Sequence, residues 1–152
     1  VLEQYPPEQY EDLTDGLRDI LADFIFHTPA REQLKALSTS QTPPVFRYVY
    51  EYSSDHPLFK SFGAGHGLEL NYVFNYFSAM THPLGPSRSE KQMAEVIMDL
   101  WGQFARSSGQ GLAFDPYQPQ TDNYIRLKET PEEATDFRKG QSDFWSKLNI
   151  PL

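Results

Sequence analysis

The sequence feature that most constrains the fold is a segment, residues 44–52, that is apolar or aromatic at nearly every position. Its β-branched and aromatic side chains predict a strand that is covered on both faces. One further strand is predicted, over residues 124–127. Two isolated strands do not form a stable sheet, because a buried strand needs neighbours along both edges. We therefore expect the sheet to continue in another polypeptide segment, which makes this chain one piece of a larger fold.

The N-terminal part of the chain has the spacing of helices. Residues 8–38 carry apolar side chains three and four positions apart, and Pro29 is predicted to divide this stretch into two helices. After the predicted strand, residues 53–67 form a loop that contains Pro57 and three glycines. Residues 68–77 are apolar and predict a short helix.

The strongest helix signal follows this short helix. A cap at Ser87 or Ser89, with Glu90 in the first turn, predicts where the helix begins, and Gly109 predicts where it ends. A final helix is predicted over residues 132–148. The resulting organisation comprises a helical region (1–43), a strand (44–52), a loop (53–67), helices (68–109), and a last strand with a C-terminal helix (110–152).

Composition narrows the class of protein and of partner. The chain has 152 residues with 39% hydrophobic side chains, which suits an ordinary globular domain with a packed core. A net charge of -8 would repel phosphate backbones and anionic lipid headgroups, so nucleic acid is a poor partner. The chain lacks both a membrane-spanning apolar stretch and the pattern of a signal peptide. These features predict a soluble protein with no membrane partner, cytoplasmic in a bacterium or secreted.

The absence of cysteine limits the chemistry further. It excludes disulfides, thiolate nucleophiles and sulfur ligands for metals. The histidines and carboxylates also lack the spacing of a metal site. We therefore expect neither a metal nor an organic cofactor.

His66 is the residue that points most directly to chemistry. It lies in the loop at residues 53–67, between Gly65 and Gly67, where glycine permits sharp turns and leaves the imidazole projecting from the backbone. A histidine among glycines is more often an ordinary loop residue than a proton-transfer group. The surrounding sequence decides between these two interpretations.

Five segments in the same order and spacing resemble the C-terminal part of type-B carboxylesterases and cholinesterases, which are serine esterases of the α/β-hydrolase superfamily. The segment from Gly63 to Phe74 resembles their catalytic-histidine region. The likeness covers most of the chain, although Asp115 departs from the family's Trp-Pro-x-Tyr pattern. The other matching residues are Asp23, Phe26 and Pro29; residues 44–50; Ser89, Glu90, Met98, Trp101, residues 104–106 and Gly109; and Pro116 with Tyr117.

The resemblance implies both a fold and an activity. The fold class is α/β: the last strands of an α/β-hydrolase sheet with flanking helices, completed by an N-terminal segment or chain. The activity is hydrolysis of small-molecule carboxylic esters through an acyl-serine intermediate, with His66 as general base and acid of a Ser-His-Glu/Asp triad. This chain contains no Gly-x-Ser-x-Gly motif, and in this fold the serine and the acid precede the histidine. We therefore expect an N-terminal partner chain of the same esterase to supply the serine, the acid and the oxyanion hole.

Several other residues are weaker candidates for the site. Glu69 and Asp23 are predicted to support the histidine from outside the triad, although Glu69 could equally be an ordinary charge at a helix start and a structural role is favoured for Asp23. Phe59 and Phe62 are candidates for lining a substrate pocket, as are Phe74 and Phe77, but aromatic residues near a loop are more often packing material. The aromatic C-terminal helix, with Phe144 and Trp145, is a candidate homodimer contact.

Two alternative readings of the chain remain open from sequence. In the first, the chain is part of a cholinesterase-like module that has lost its nucleophile and serves in adhesion or interaction. In the second, it is a free-standing helical domain with an incidental loop histidine, a reading that the unpaired buried strand opposes.

Overall fold

The computed structural model describes residues 1–40, 43–57 and 59–148. Residues 41–42, 58 and 149–152, which fall in the predicted helical region, histidine loop and C-terminal region, lie outside this description. The described residues form two compact units, each considered by itself. Unit 1 comprises residues 1–40, 118–122 and 136–148, and unit 2 comprises residues 43–57, 59–117 and 123–135.

Unit 1 is built on two helices joined by a π-helical turn. Helix α1 spans Leu13–Ala22, the π-helical turn spans Asp23–His27, and helix α2 spans Thr28–Ser38. Within the turn, the backbone N–H of Thr28 donates to the carbonyl oxygen of Asp23, five positions earlier. Pro29, in the first turn of α2, has no N–H and would clash with the carbonyl four residues before it, and the wider turn accommodates both effects. Pro29 therefore marks the predicted division, but the helical course continues through it.

The apolar stripe of unit 1 is exposed. Leu13, Leu17, Leu21 and Ile25 repeat every four residues along α1 and the π-helical turn, and between 50% and 76% of each is accessible. Residues four apart lie on the same face of a helix, so these side chains form one continuous apolar surface. Contiguous apolar surfaces of this kind usually mark contacts with other protein.

The interior of unit 1 is charged. Asp23 is fully buried and accepts two hydrogen bonds from Arg138, from Nε and Nη2 at 2.6 Å each, and one from the Tyr5 hydroxyl at 2.7 Å. The indole N–H of Trp145, on helix α5 (Lys139–Lys147), donates to the same Tyr5 hydroxyl at 2.7 Å. The buried guanidinium of Arg31 binds two other carboxylates. Ion pairs and hydrogen bonds thus fix the positions of the helices in this unit.

Unit 2 contains a three-stranded mixed sheet in the order β1, β2, β3. Strand β1 (Tyr48–Tyr50) runs parallel to β2 (Asn123–Leu127), with Tyr48 opposite Ile125, and β3 (Glu132–Thr135) runs antiparallel to β2. Parallel neighbours need a long connection, which here contains the histidine loop and two helices.

The prediction of one helix over residues 132–148 is wrong in its first part. Residues Glu132–Thr135 form β3, and only Lys139–Lys147 form helix α5. Positive φ angles at Asp136 (61°) and Arg138 (47°) separate the two elements, since a right-handed helix cannot contain them. The strand forms because it pairs with β2, where Arg126 lies opposite Glu132 and donates to its carboxylate at 2.9 Å.

The strand predicted over residues 44–52 is shorter and less covered than expected. Strand β1 contains Tyr48–Tyr50, and Tyr48 remains 43% exposed. In the part of the chain that the structure describes, β1 lies at one edge of the sheet, with β2 on its other side. Strand β1 is therefore only partly buried within unit 2, and its open edge has no second strand among the described residues.

The core of unit 2 lies between the sheet and helix α4 (Arg88–Ser107). As predicted, this helix begins at a capping box in which Ser87 and Glu90 satisfy each other's backbone N–H groups, and it ends before Gly109, where φ is 81°. The short helix α3, Leu70–Val73, packs on it. The buried side chains of this core are Tyr52, Tyr72, Met93, Ala94, Ile97 and Leu127.

Candidate active site

His66 lies in a tight turn within the loop that follows β1 in the chain. The backbone N–H of Leu68 donates to the carbonyl oxygen of Gly65 at 3.2 Å, which places His66 and Gly67 at the two central positions of a β-turn. His66 is exposed. An exposed residue in a glycine-bounded turn can be reached by a partner or a substrate.

Glycine is required at two positions around this turn. Gly67 has a φ of 80°, the value that the third residue of a type II turn needs, and Gly63 has a φ of 59°. A Cβ at either position would meet no heavy atom within 4 Å, so the requirement is one of backbone conformation and not of space. The glycines noted in the sequence therefore set the path of the chain on both sides of His66.

Glu69 occupies the position before helix α3 and is half-buried. Its carbonyl oxygen accepts hydrogen bonds from the N–H groups of Tyr72 and Val73, at 3.0 and 2.9 Å, so it begins the helix. Burial raises the pKa of the Tyr48 hydroxyl, and the negative charge of Glu69 raises it further. The carboxylate of Glu69 thus lies within electrostatic range of Tyr48. The predicted support of His66 by Glu69 remains a prediction.

A buried polar cluster lies where the start of the loop meets the first turn of α4. The Ser54 hydroxyl donates to Oε1 of Glu90 at 2.6 Å, and Nε2 of His82 lies 3.2 Å from the same oxygen. Nδ1 of His82 is 3.0 Å from the Thr81 hydroxyl. Ser54, His82 and Glu90 are all at most 5% exposed. We refer to these three residues as the Ser54–His82–Glu90 cluster.

The cluster contains a serine, a histidine and a carboxylate, but it is not arranged as a nucleophilic triad. In a triad the histidine lies between the other two groups and accepts the serine proton. Here the Ser54 hydroxyl donates directly to Glu90 at 2.6 Å, and the carboxylate lies between serine and histidine. The arrangement fixes side chains in place and offers no activated hydroxyl to a substrate.

The charge of Glu90 is stabilised despite its complete burial. Burial by itself would raise the pKa of this carboxyl group, because it penalises the charged form. Hydrogen bonds from the Ser54 hydroxyl, from the backbone N–H of Ser87 and from His82 outweigh that effect and hold the pKa of Glu90 below its usual range. Glu90 is therefore a carboxylate at neutral pH.

Aromatic rings enclose the histidine of the cluster. Phe59 stacks on the His82 ring with centroids 5.3 Å apart, and Phe77 meets it edge-on at 4.9 Å. The His56 ring lies 4.6 Å from that of His82. Phe59 and Phe77, considered as pocket residues from sequence, therefore contribute to packing around His82.

The remaining pocket candidates are differently placed. Phe62 is 68% exposed and Phe74 is 73% exposed, in the turns before and after His66. A groove of about 240 Å³ does occur in unit 2, between β1 and α4, and Tyr48, Trp101 and Phe104 are among its lining residues. None of the four predicted phenylalanines lines this groove.

Asp23 belongs to unit 1, and its carboxylate binds Arg138 and Tyr5 as described above. These contacts give it a structural role within that unit. The sequence did not identify the Ser54–His82–Glu90 cluster, although the capping pattern of Ser87 and Glu90 was a partial signal for it.

Among residues 1–40, 43–57 and 59–148, no group of three or more histidine and acidic side chains is placed to hold a metal ion. No helix in the same ranges is long and apolar enough to cross a membrane.

Comparisons with known proteins give one consistent result. The model of the carboxylesterase family matches residues 1–145. Carboxylesterase 1D of Rattus norvegicus is 28% identical over 142 residues, and Carboxylesterase 1C of the same species is 26% identical over 140, covering 88% and 87% of this chain. Cocaine esterase of Homo sapiens is 28% identical over 145 residues, or 90% of this chain. The chain spans about a quarter of the length of these relatives.

Proposed function

The chain belongs to the carboxylesterase family, and on that premise we propose that it is the C-terminal part of a serine esterase in which His66 is the catalytic base. The reaction is hydrolysis of small-molecule carboxylic esters through an acyl-serine intermediate. The observation that carries this proposal is the exposed His66, held in a glycine-bounded turn of the loop that follows the parallel strand β1 in the chain.

In the proposed reaction His66 moves one proton in each direction. It accepts the proton of a serine hydroxyl while that oxygen attacks the ester carbonyl, and it returns the proton to the leaving alcohol as the tetrahedral intermediate collapses. It then activates water in the same way to release the acid from the serine. An exposed imidazole suits this role, because the neutral ring accepts a proton and the imidazolium that forms donates it again.

The serine, the acid and the oxyanion donors are assigned to an upstream part of the protein. The chain has no Gly-x-Ser-x-Gly motif, and it spans about a quarter of its relatives' length. Unit 2 supports this assignment through the edge strand β1. Unit 1 supports it through the exposed stripe of Leu13, Leu17 and Leu21. Both are surfaces that a larger α/β-hydrolase fold would cover.

The test is replacement of His66 by alanine in the complete esterase, assayed with p-nitrophenyl acetate. We expect kcat to fall by at least about 10³-fold while the far-ultraviolet circular dichroism spectrum stays unchanged, because loss of the base removes proton transfer but not a packed side chain. The matched control is His27→Ala, which removes a histidine that packs on Phe137 within unit 1. Retained turnover in His66→Ala would refute the role of His66.

A fluorophosphonate labelling experiment separates the enzyme from an interaction module. The probe reacts covalently with an activated serine, so we expect it to label the upstream part that carries Gly-x-Ser-x-Gly. Labelling should become much slower in His66→Ala. Absence of labelling in the wild-type protein, with no serine at that motif, would instead identify a non-catalytic cholinesterase-like module.

A further inference from the structure

We propose that Glu90 and His82 are positioning residues for His66, and that they act by holding the start and the middle of the loop that carries it. This inference rests on the proposed role of His66 as the catalytic base. It assigns a task to the Ser54–His82–Glu90 cluster, which neither binds substrate nor resembles a triad in its geometry.

The start of the loop is attached to the first turn of α4. Ser54 donates to Glu90 at 2.6 Å, and the Ser54 oxygen in turn accepts the backbone N–H of His56 at 2.9 Å. The next residue, Asp55, accepts a hydrogen bond from the Ser87 hydroxyl at 2.8 Å. These contacts join residues more than 30 positions apart in sequence, so they fix where the loop leaves the sheet.

His82 extends this attachment further into the loop. Its Nε2 bonds Glu90 at 3.2 Å, and its ring stacks against Phe59, seven residues before His66. His82 therefore contacts both Glu90 and the middle of the loop, so that the placement of Phe59 depends on the bond between His82 and Glu90. Stacked rings at this separation contribute to packing beyond their buried area.

The end of the loop is attached to the same helix. Tyr72, on α3, is buried in the core with Met93, Ala94 and Ile97 of α4. The Tyr72 ring also contacts Tyr52, which precedes the loop, with centroids 5.4 Å apart. The start and the end of the loop therefore both contact helix α4.

Between these attachments the turns are locally bonded. The N–H of Phe62 donates to Phe59, and the N–H of Leu68 donates to Gly65, each only three positions away. Such bonds shape the turns on either side of His66. The contacts of Ser54, Phe59 and Tyr72 with the elements around them place this stretch of chain within unit 2.

Glu90 accepts hydrogen bonds at both carboxylate oxygens. Oε1 accepts the Ser54 hydroxyl and Oε2 accepts the backbone N–H of Ser87, at 2.6 and 2.8 Å. A glutamine of the same shape removes the negative charge and replaces one of these acceptors by an NH₂ donor, so the Ser54 hydroxyl and the His82 ring must change their hydrogen-bonding roles. The substitution Glu90→Gln therefore weakens the cluster while keeping the side-chain volume.

The experiment compares Glu90→Gln with Glu95→Gln in the complete esterase. Glu95 undergoes the same chemical change on the same helix, but its side chain is exposed. With p-nitrophenyl acetate we expect Glu90→Gln to lower kcat about 10- to 100-fold and to change KM less than about twofold, the usual effect of displacing a reacting group through its support. The rate constant for fluorophosphonate labelling should fall by the same factor, and Glu95→Gln should change neither quantity.

Labelling amplitude distinguishes positioning from unfolding. The amplitude at completion counts folded sites, so kcat is expressed per labelled serine, and a purely structural effect would lower the amplitude and leave this ratio unchanged. If Glu90→Gln does not fold, two variants replace it. His82→Phe keeps a ring against Phe59 but loses the bond to Glu90, and Ser54→Ala loses the hydroxyl that donates to Glu90. Each is expected to lower kcat about threefold or more.

The outcomes separate this inference from the proposed function. Inactive His66→Ala together with wild-type kcat in folded Glu90→Gln, or in both replacement variants, would overturn the positioning role alone. Active His66→Ala would overturn the proposed function, and the positioning role with it. Inactive His66→Ala with a reduced kcat and an unchanged KM in Glu90→Gln supports both.

Discussion

Replacing Gly67 by alanine tests whether the turn at His66 depends on a positive φ. Gly67 has a φ of 80°, and a Cβ added there meets no heavy atom within 4 Å. The cost is therefore conformational alone, and an L-residue with a side chain pays about 1–2 kcal/mol in the left-handed region. Asparagine tolerates this region better, so Gly67→Asn should cost less than Gly67→Ala.

The strain is measurable as faster local opening of the turn. The N–H groups of Leu68 and Leu70 donate to Gly65 and Gly67 at 3.2 and 3.3 Å. A loss of about 1–2 kcal/mol raises the population of the open turn roughly 5- to 30-fold, which hydrogen–deuterium exchange of these two amides reports directly. We expect exchange to be fastest in Gly67→Ala, slower in Gly67→Asn and slowest in the wild-type protein.

The control for this series is Gly102→Ala, in the interior of α4. A Cβ there lies 3.0 Å from Nη1 of Arg106, the end of a flexible side chain, and alanine is the better helix former by about 0.5–1 kcal/mol. Exchange in the turn should stay at the wild-type rate in this variant. If Gly67→Ala also exchanged at the wild-type rate, or if Gly67→Asn exchanged faster than Gly67→Ala, the reasoning from backbone conformation would be refuted.

Two further predictions concern buried carboxylates. Asp23→Asn should destabilise unit 1 by about 1–3 kcal/mol, because the buried amide NH₂ group then faces the N–H donors of Arg138, which keeps Asp19 as its ionic partner. Limited proteolysis should reveal this loss, and Asp19→Asn, at a half-exposed position, should cost less than about 1 kcal/mol. The folded-state pKa of Glu90 lies below its ordinary value of 4.5, so the stability that its charge contributes is present above about pH 4.5 and is lost as the pH falls through the folded pKa. Urea midpoints of wild type and Glu90→Gln should therefore converge on acidification, and a constant difference between pH 7 and pH 3 would contradict the linkage.

The His66 turn and the long helix could be predicted from sequence because their signals are local. A glycine at a position that needs a positive φ, or a serine three residues before a glutamate at a helix start, acts through contacts within one turn of chain. Ser87, Glu90 and Gly109 were therefore identified with the ends of α4 in advance. The family resemblance depends on the same kind of short, ordered segments.

The segment Glu132–Thr135 shows where local signals fail. Its exposed, charged side chains lack the alternation of a half-buried strand, and helical spacing continues through it into α5. Pairing with β2 supplies the hydrogen bonds and the contact between Glu132 and Arg126 that make it a strand. Acidic residues at such an edge also discourage pairing with another chain.

The sequence by itself thus determined the two ends of α4 and the glycine-bounded turn at His66. The tertiary structure alone decided which distant residues meet, including Ser54 and His82 on Glu90, and Arg138 on Asp23. The physical reason is that a buried charge needs partners from every direction around it, and these come from segments whose separation in sequence carries no signal of their contact.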